Sequence, residues 1–271
     1  SHQRNLYSDS TYYFLNFDQG PGKRVQPLQT LSLANNNSSS RFDDYMLHEL
    51  DQLNLVKSGK EWYGEVFDNT KSSWVVPFNI PTLDSNSPVR LRTFVAANSA
   101  TPSYFYIYQN GIIIDSLKID STDPAEFTRA GKSNLKQTNI PDPRPDQSIT
   151  LTYQLPSSNS KGWLNYIELN CSRNLEWVNP QMLFRDVNSI SPGKITEFTM
   201  KNANPSIRIW DVTDPSTIGA FETTLTNGIL KFKRATDSLR EFIAFDGSFY
   251  YPVKVAGEVP NQNLHATEPG V

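Results

Sequence analysis

Apolar and polar positions alternate with a period of two along most of the chain. Val89, Leu91, Thr93 and Val95 alternate with Arg90, Arg92 and Phe94, which predicts a strand with one buried face. Tyr104 to Tyr108 is an aromatic and β-branched run that leads to Asn110-Gly111, a strong hairpin signal, and re-enters as Ile112-Ile113-Ile114. Ile149, Leu151 and Tyr153 pattern another strand, and Ile167, Leu169 and Cys171 share one face of the next. Beyond Trp177 the pattern resumes. Phe198 and Met200 mark one strand, and Ile207 to Val212, between Asn204-Pro205 and Asp214-Pro215, marks another. Leu230 and Phe232 follow Asn227-Gly228, and Phe242 to Phe245 ends at Asp246-Gly247.

Short strands between turn clusters predict an all-β fold with little helix. Residues 1–175 are expected to form a jelly-roll-like β-sandwich, residues 176–257 a smaller β-sandwich or barrel module, and residues 258–271 a polar linker. One stretch, Phe42, Tyr45, Met46, Leu50 and Leu53, has helical spacing, but the alternation of Tyr45, Leu47 and Glu49 favours an extended segment. Ala34 to Ser40 and the proline-rich Thr138 to Gln147 read as surface loops.

Bulk properties narrow the function. The 271 residues carry a net charge of −3. Without a long basic run, nothing would release phosphate counterions, so nucleic acid is not an expected partner. No apolar run approaches the roughly 18–20 residues that span a bilayer. The N-terminus lacks the basic and apolar regions of a signal peptide, so an export signal is expected to have been removed. The single cysteine excludes an internal disulfide framework and a Cys-rich zinc site.

Few residues could carry chemistry. A cysteine nucleophile needs a base in hydrogen-bond reach, and Cys171 has only His48 and His265 to consider. Its phase with Ile167 and Leu169 instead reads as an inert core position. Asp115, Asp120 and Asp123 are candidate calcium ligands, or else solvated loop carboxylates. No other cofactor is expected. Glu61, Trp62, Tyr63 and Glu65 combine two aromatics with two carboxylates, as a sugar-binding cleft does, while a plug over the sandwich would use the same residues. Lys23-Arg24 follows Gly20-Pro21-Gly22 and is a basic turn that could touch a partner.

Three segments together carry a resemblance. Tyr12-Tyr13-Phe14-Leu15 with Gly20-Pro21-Gly22-Lys23-Arg24 is the first. His48-Glu49-Leu50-Asp51, Asn54 and the run from Ser58 to Glu65 form the second. The third is Ile209 to Pro215, continuing through Ser238 to Phe245 and on to Val259-Pro260-Asn261-Gln262-Asn263-Leu264-His265. The chain resembles the region preceding the peptidase domain in the PorU-type, gingipain-like C-terminal signal peptidases (sortases) of the Bacteroidetes type IX secretion system.

The resemblance implies an exported parent cysteine peptidase, at the outer-membrane surface or in the periplasm. Its catalytic His and Cys would lie in a caspase-like domain just after this chain, so none of its catalytic residues is carried over, and Cys171 and His265 do not match them. The expected partners are that peptidase domain, secretion cargo and outer-membrane secretion components. Two other readings stay open at this point: a carbohydrate-binding module for a surface polysaccharide, and an inhibitory prosegment in which Lys23-Arg24 mimics substrate.

Overall fold

The computed structural model describes residues 10–15, 20–57, 61–122 and 131–260. Strands, numbered in chain order, form four sheets that pair into two sandwiches. One sheet of the first sandwich has the order β3 (Arg41–Glu49), β11 (Lys161–Asn174), β6 (Arg90–Asn98) and β9 (Lys132–Asn139), with the short β4 (Val66–Phe67) also on β11. The facing sheet has the order β5 (Ser73–Asn79), β10 (Asp146–Gln154), β7 (Ser103–Gln109) and β8 (Ile112–Ile119). Inward positions are those the alternation predicts: Leu91, Val95, Phe105, Ile107, Ile149, Leu151, Ile167 and Leu169 are fully buried between the sheets.

The second sandwich has one sheet ordered β1 (Gln26–Leu28), β15 (Gly219–Phe221), β14 (Arg208–Asp211), β18 (Phe242–Phe245) and β12 (Gln181–Phe184). Its other sheet runs β16 (Thr224–Thr226), β17 (Ile229–Ala235), β13 (Ile195–Met200) and β2 (Asn37–Ser39). Its core is built on rings. The Phe232 centroid lies 5.2 Å from that of Phe198, 5.1 Å from Phe242 and 4.7 Å from Phe221. Such edge-to-face and offset contacts add to the area that each ring buries. The one described helical element is a 3-10 turn at Val187–Ser189, capped by the Asp186 side chain, and no helix is long and apolar enough to cross a membrane.

The hairpin signals act as read. Asn110 and Gly111 have φ of 48° and 85°, and Asn227 and Gly228 have 51° and 75°. Two successive positive φ values give the turn whose twist matches flanking antiparallel strands. The segment with helical spacing is strand β3, because its ladder with β11 runs unbroken from Arg41 to Glu49.

Two expectations need correction. Ala34 to Ser40 is not simply a loop, since β2 within it pairs in parallel with β13, and the Asn37 amide donates to Thr196 Oγ1 at 3.0 Å. The strands β1 and β2, grouped by sequence with the first sandwich, belong to the sheets of the second. Parallel partners more than a hundred residues away leave no local pattern to read.

Where the sandwiches meet, β3 serves both, and β11 leads into Leu175 of the second core. Phe42 is buried in the second core, whereas Met46, further along β3, packs on the first. Arg173 of β11 ties this junction. Its Nη1 donates to Asp44 Oδ2 at 2.7 Å, its Nε to the Pro81 carbonyl at 2.6 Å, and its guanidinium lies 5.0 Å from the Phe42 ring centroid. Asp43 adds two bonds across the junction: its N–H donates to the Arg185 carbonyl and its carboxylate accepts the Val187 N–H.

Candidate functional site

The aromatic and acidic run around Trp62 lies on a flap over the outer face of the β3–β11–β6–β9 sheet. Leu53 and Tyr63 face each other as an antiparallel bridge, with N–H to carbonyl distances of 2.8 and 2.9 Å in the two directions. Leu55 and Tyr63 then pack with Trp163, Ala96 and Val66 as a small satellite core. Gly64 is required by proximity: a Cβ there would lie 2.5 Å from the Leu50 Cβ and 2.6 Å from the Leu50 carbonyl oxygen. Its N–H donates to the Leu164 carbonyl at 2.8 Å, which docks the flap onto β11.

This geometry divides the four predicted contact residues. Tyr63 is 5% exposed and Glu65 7%, so neither can face a ligand. Burial, with the Glu61 charge nearby, pushes the Tyr63 phenol up to about 12, opposed by a hydrogen bond with Asn165. Glu65 Oε1 is 2.5 Å from His48 Nε2, and its Oε2 has no hydrogen-bond partner among the described residues. The pair pins the strand leading into β4 against β3. Trp62, 38% exposed, and Glu61, which accepts from Asn165 Nδ2 at 2.8 Å, remain on the surface. The aromatics therefore divide: Tyr63 is a plug, and Trp62 alone presents a ring.

Cys171 is not paired with His48, its candidate base among the described residues. Cys171 is buried in the first core, and desolvation pushes its thiol up to about 12, with Asp44 adding to the rise. On β3 it faces Asp44, while His48 faces Ile167. Four residues along a strand separate those positions by about 13 Å. His265 lies outside the described residues.

Asp115 and Asp120, the calcium candidates among the described residues, are not brought together. Asp115 accepts from Thr138 Oγ1 at 2.7 Å and pairs with Lys136 Nζ at 3.0 Å, so a cation already neutralises it. Burial raises its pKa, but these hydrogen bonds and the Lys136 charge leave it lowered overall. Asp120 pairs with Lys118 at the far end of β8, and Asp123 lies outside the described residues. Among the described residues no group of three potential metal ligands forms. Asp120 and Lys118 do border a shallow open recess of about 510 Å³ at the ends of β8 and β9.

Lys23 and Arg24 are exposed, and Arg24 Nη1 turns back to the Gly22 carbonyl at 3.0 Å. Two residues on, β1 pairs with β15, so this turn leads into the second sandwich.

No protein-family model matches the sequence, and no curated protein does. Among solved structures, dimeric latent PorU from Porphyromonas gingivalis superposes with a TM-score of 0.72 over 90% of this chain, at 20% identity. The fold is PorU-like. The likeness runs through both sandwiches, and the chain spans 24% of the PorU chain it matches. Single-module structures follow with low scores. The carbohydrate-binding module CBM36 in complex with calcium and xylotriose aligns over 46% of this chain at 12% identity, with a TM-score of 0.29. A family 35 module from Clostridium thermocellum aligns over 48% at 15% identity, with 0.28.

Proposed function

We propose that this chain is a non-catalytic accessory region of an exported, gingipain-like cysteine peptidase that removes C-terminal signals in type IX secretion. The observation that carries the reading is the extent of the PorU-like fold, 90% of the chain at a TM-score of 0.72. The three-segment sequence resemblance points the same way. The packing of Cys171 supports a role without catalysis, because a core thiol held near 12 cannot supply thiolate. In this reading the two sandwiches hold a peptidase domain of the same polypeptide in place relative to its cargo or to an outer-membrane partner. The protein works after export, at the outer-membrane surface or in the periplasm.

The test compares this chain with the longer polypeptide encoded by the same gene, on a cargo that bears its C-terminal signal. Cleavage by the longer polypeptide alone is expected. Cleavage by this chain, abolished in Cys171→Ala, would overturn the proposal.

A second reading is favoured by the state of the matched structure, a latent form of PorU. Here the region holds the peptidase inactive until it is displaced. Adding this chain to the active peptidase would then slow cargo cleavage, and an unchanged rate rejects it.

A further inference from the structure

The outer face of the β5–β10–β7–β8 sheet has a chemistry that neither the fold nor the proposed function uses. Phe105, Ile107 and Gln109 of β7 point into the core, so Tyr104, Tyr106 and Tyr108 stand in line on the opposite face, each half-buried. Alternate residues of a strand are about 6.8 Å apart, and the Tyr104 and Tyr106 centroids are 6.5 Å apart with planes 21° from parallel. Three rings thus form a ladder about 14 Å long.

Hydroxyls and an amide flank the ladder, with the exposed side chains of Ile113, opposite Tyr108, and Val75, opposite Thr150. On β10, Gln154, Thr152 and Thr150 lie opposite Tyr104, Tyr106 and Tyr108 in register. The Tyr106 hydroxyl donates to Gln154 Oε1 at 3.2 Å, and Thr152 shares a 3.0 Å hydroxyl–hydroxyl bond with Ser73 of β5. Ser116 of β8 faces Tyr106 from the other side. Charge is confined to the margins and is of both signs. Lys118, opposite Tyr104, pairs with Asp120, and Asp146 at the other end holds the Asn79 amide.

We infer that this face is a platform for a neutral polysaccharide chain. Each hydroxyl can both donate and accept, as sugar hydroxyls do, and the aligned rings offer apolar surface to successive pyranose rings. Charges of both signs at the two ends, with none beside Tyr106 or Tyr108, give an anionic or cationic polymer little to hold. The inference does not depend on a peptidase parent, because it rests on this sheet alone.

Affinity electrophoresis of this chain in gels containing soluble β-glucan, galactomannan or dextran, with alginate as the anionic control, tests it. Retardation by at least one neutral polymer is expected, and at least a tenfold weakening in Tyr106→Thr, a β-branched change that preserves strand character. Tyr104→Ala/Tyr108→Ala should behave likewise, with thermal midpoints close to the parent, whereas Trp62→Ala on the flap should leave retardation unchanged. Migration unaffected by all three neutral polymers, retardation by alginate alone, or full retention of binding in Tyr106→Thr each overturns the inference.

Discussion

Cys171 and Asp84 show how environment sets the behaviour of single groups. With its thiol pushed up to about 12 by burial, Cys171 holds almost no thiolate at pH 8. A disulfide reagent should therefore leave it unmodified in the native protein and label it fully in denaturant. Rapid native labelling would place it in contact with solvent. Asp84 shifts the other way. Hydrogen bonds from Ser87 and Arg41 hold its carboxyl below the usual range despite burial. A lowered folded pKa stabilises above the unfolded value, near 3.9, and that stabilisation disappears as pH falls through the folded value. Asp84→Asn should accordingly lower the denaturant midpoint at pH 7, with the difference from the parent closing toward pH 2. A difference independent of pH would assign the loss to packing. At this scale sequence reading went far, since the phase of Cys171 with Ile167 and Leu169 already placed it in the core. It stopped at Glu65, because the burial of that carboxylate follows from a flap folding back onto β3. No residue near Glu65 announces that fold-back.

Among the elements, β11 holds the most together, and its packing is unforgiving at both ends. At Gly162 a Cβ would fall 2.6 Å from Phe105 Cζ and 3.2 Å from the Tyr153 ring. Gly162→Ala should cost about 1–3 kcal/mol by overpacking, read as a lower denaturant midpoint at unchanged slope. At the other end, Arg173→Met removes the cation that pairs with Asp44 and should cost about 3 kcal/mol. Because Asp44 would then be left uncompensated, adding Asp44→Asn should recover part of that loss, and failure to recover any would show that the Pro81 and Phe42 contacts dominate. Strands with strong alternation, such as β6 and β10, were legible element by element, as were the Asn-Gly hairpins. The tyrosine ladder of β7 was visible only as an aromatic and β-branched run. It read only as a strand, because a lone run does not reveal what its neighbours place beside it. Those flanking threonines come from β10, some forty residues on.

Strand β3 of the first sandwich gives Phe42 to the second core, so the whole molecule should behave as one cooperative body. Phe42 leaves β3 for the second core while Met46 stays on the first, and Arg173 clamps both. Thermal unfolding followed by far-UV dichroism and by tryptophan fluorescence should therefore give coincident transitions. Phe42→Ala should lower stability by about 3–4 kcal/mol and separate the two probes. Two transitions in the parent protein would mean that the sandwiches are independent. Sequence alone suggested a division near residue 175, where the Trp177 region begins a new run of strands. The exchange of β1 and β2 into the second sandwich could not be inferred, because a three-residue strand such as Asn37–Ser39 gains its order from the edge that receives it.

That exchange also sets an order in time. A chain delivered from its N-terminus presents residues 26–39 long before their partners, with Asn37 waiting for Thr196 and Gln26 for Gly219. Meanwhile every strand of the first sandwich, from β3 through β11, has emerged and can close. The second sandwich can close only afterwards, around a leading segment already anchored beside the finished first one. The early strands act as a tether that the last third of the chain must find, so assembly of this region ends when its N-terminal strands are taken up as the edges of two late-forming sheets.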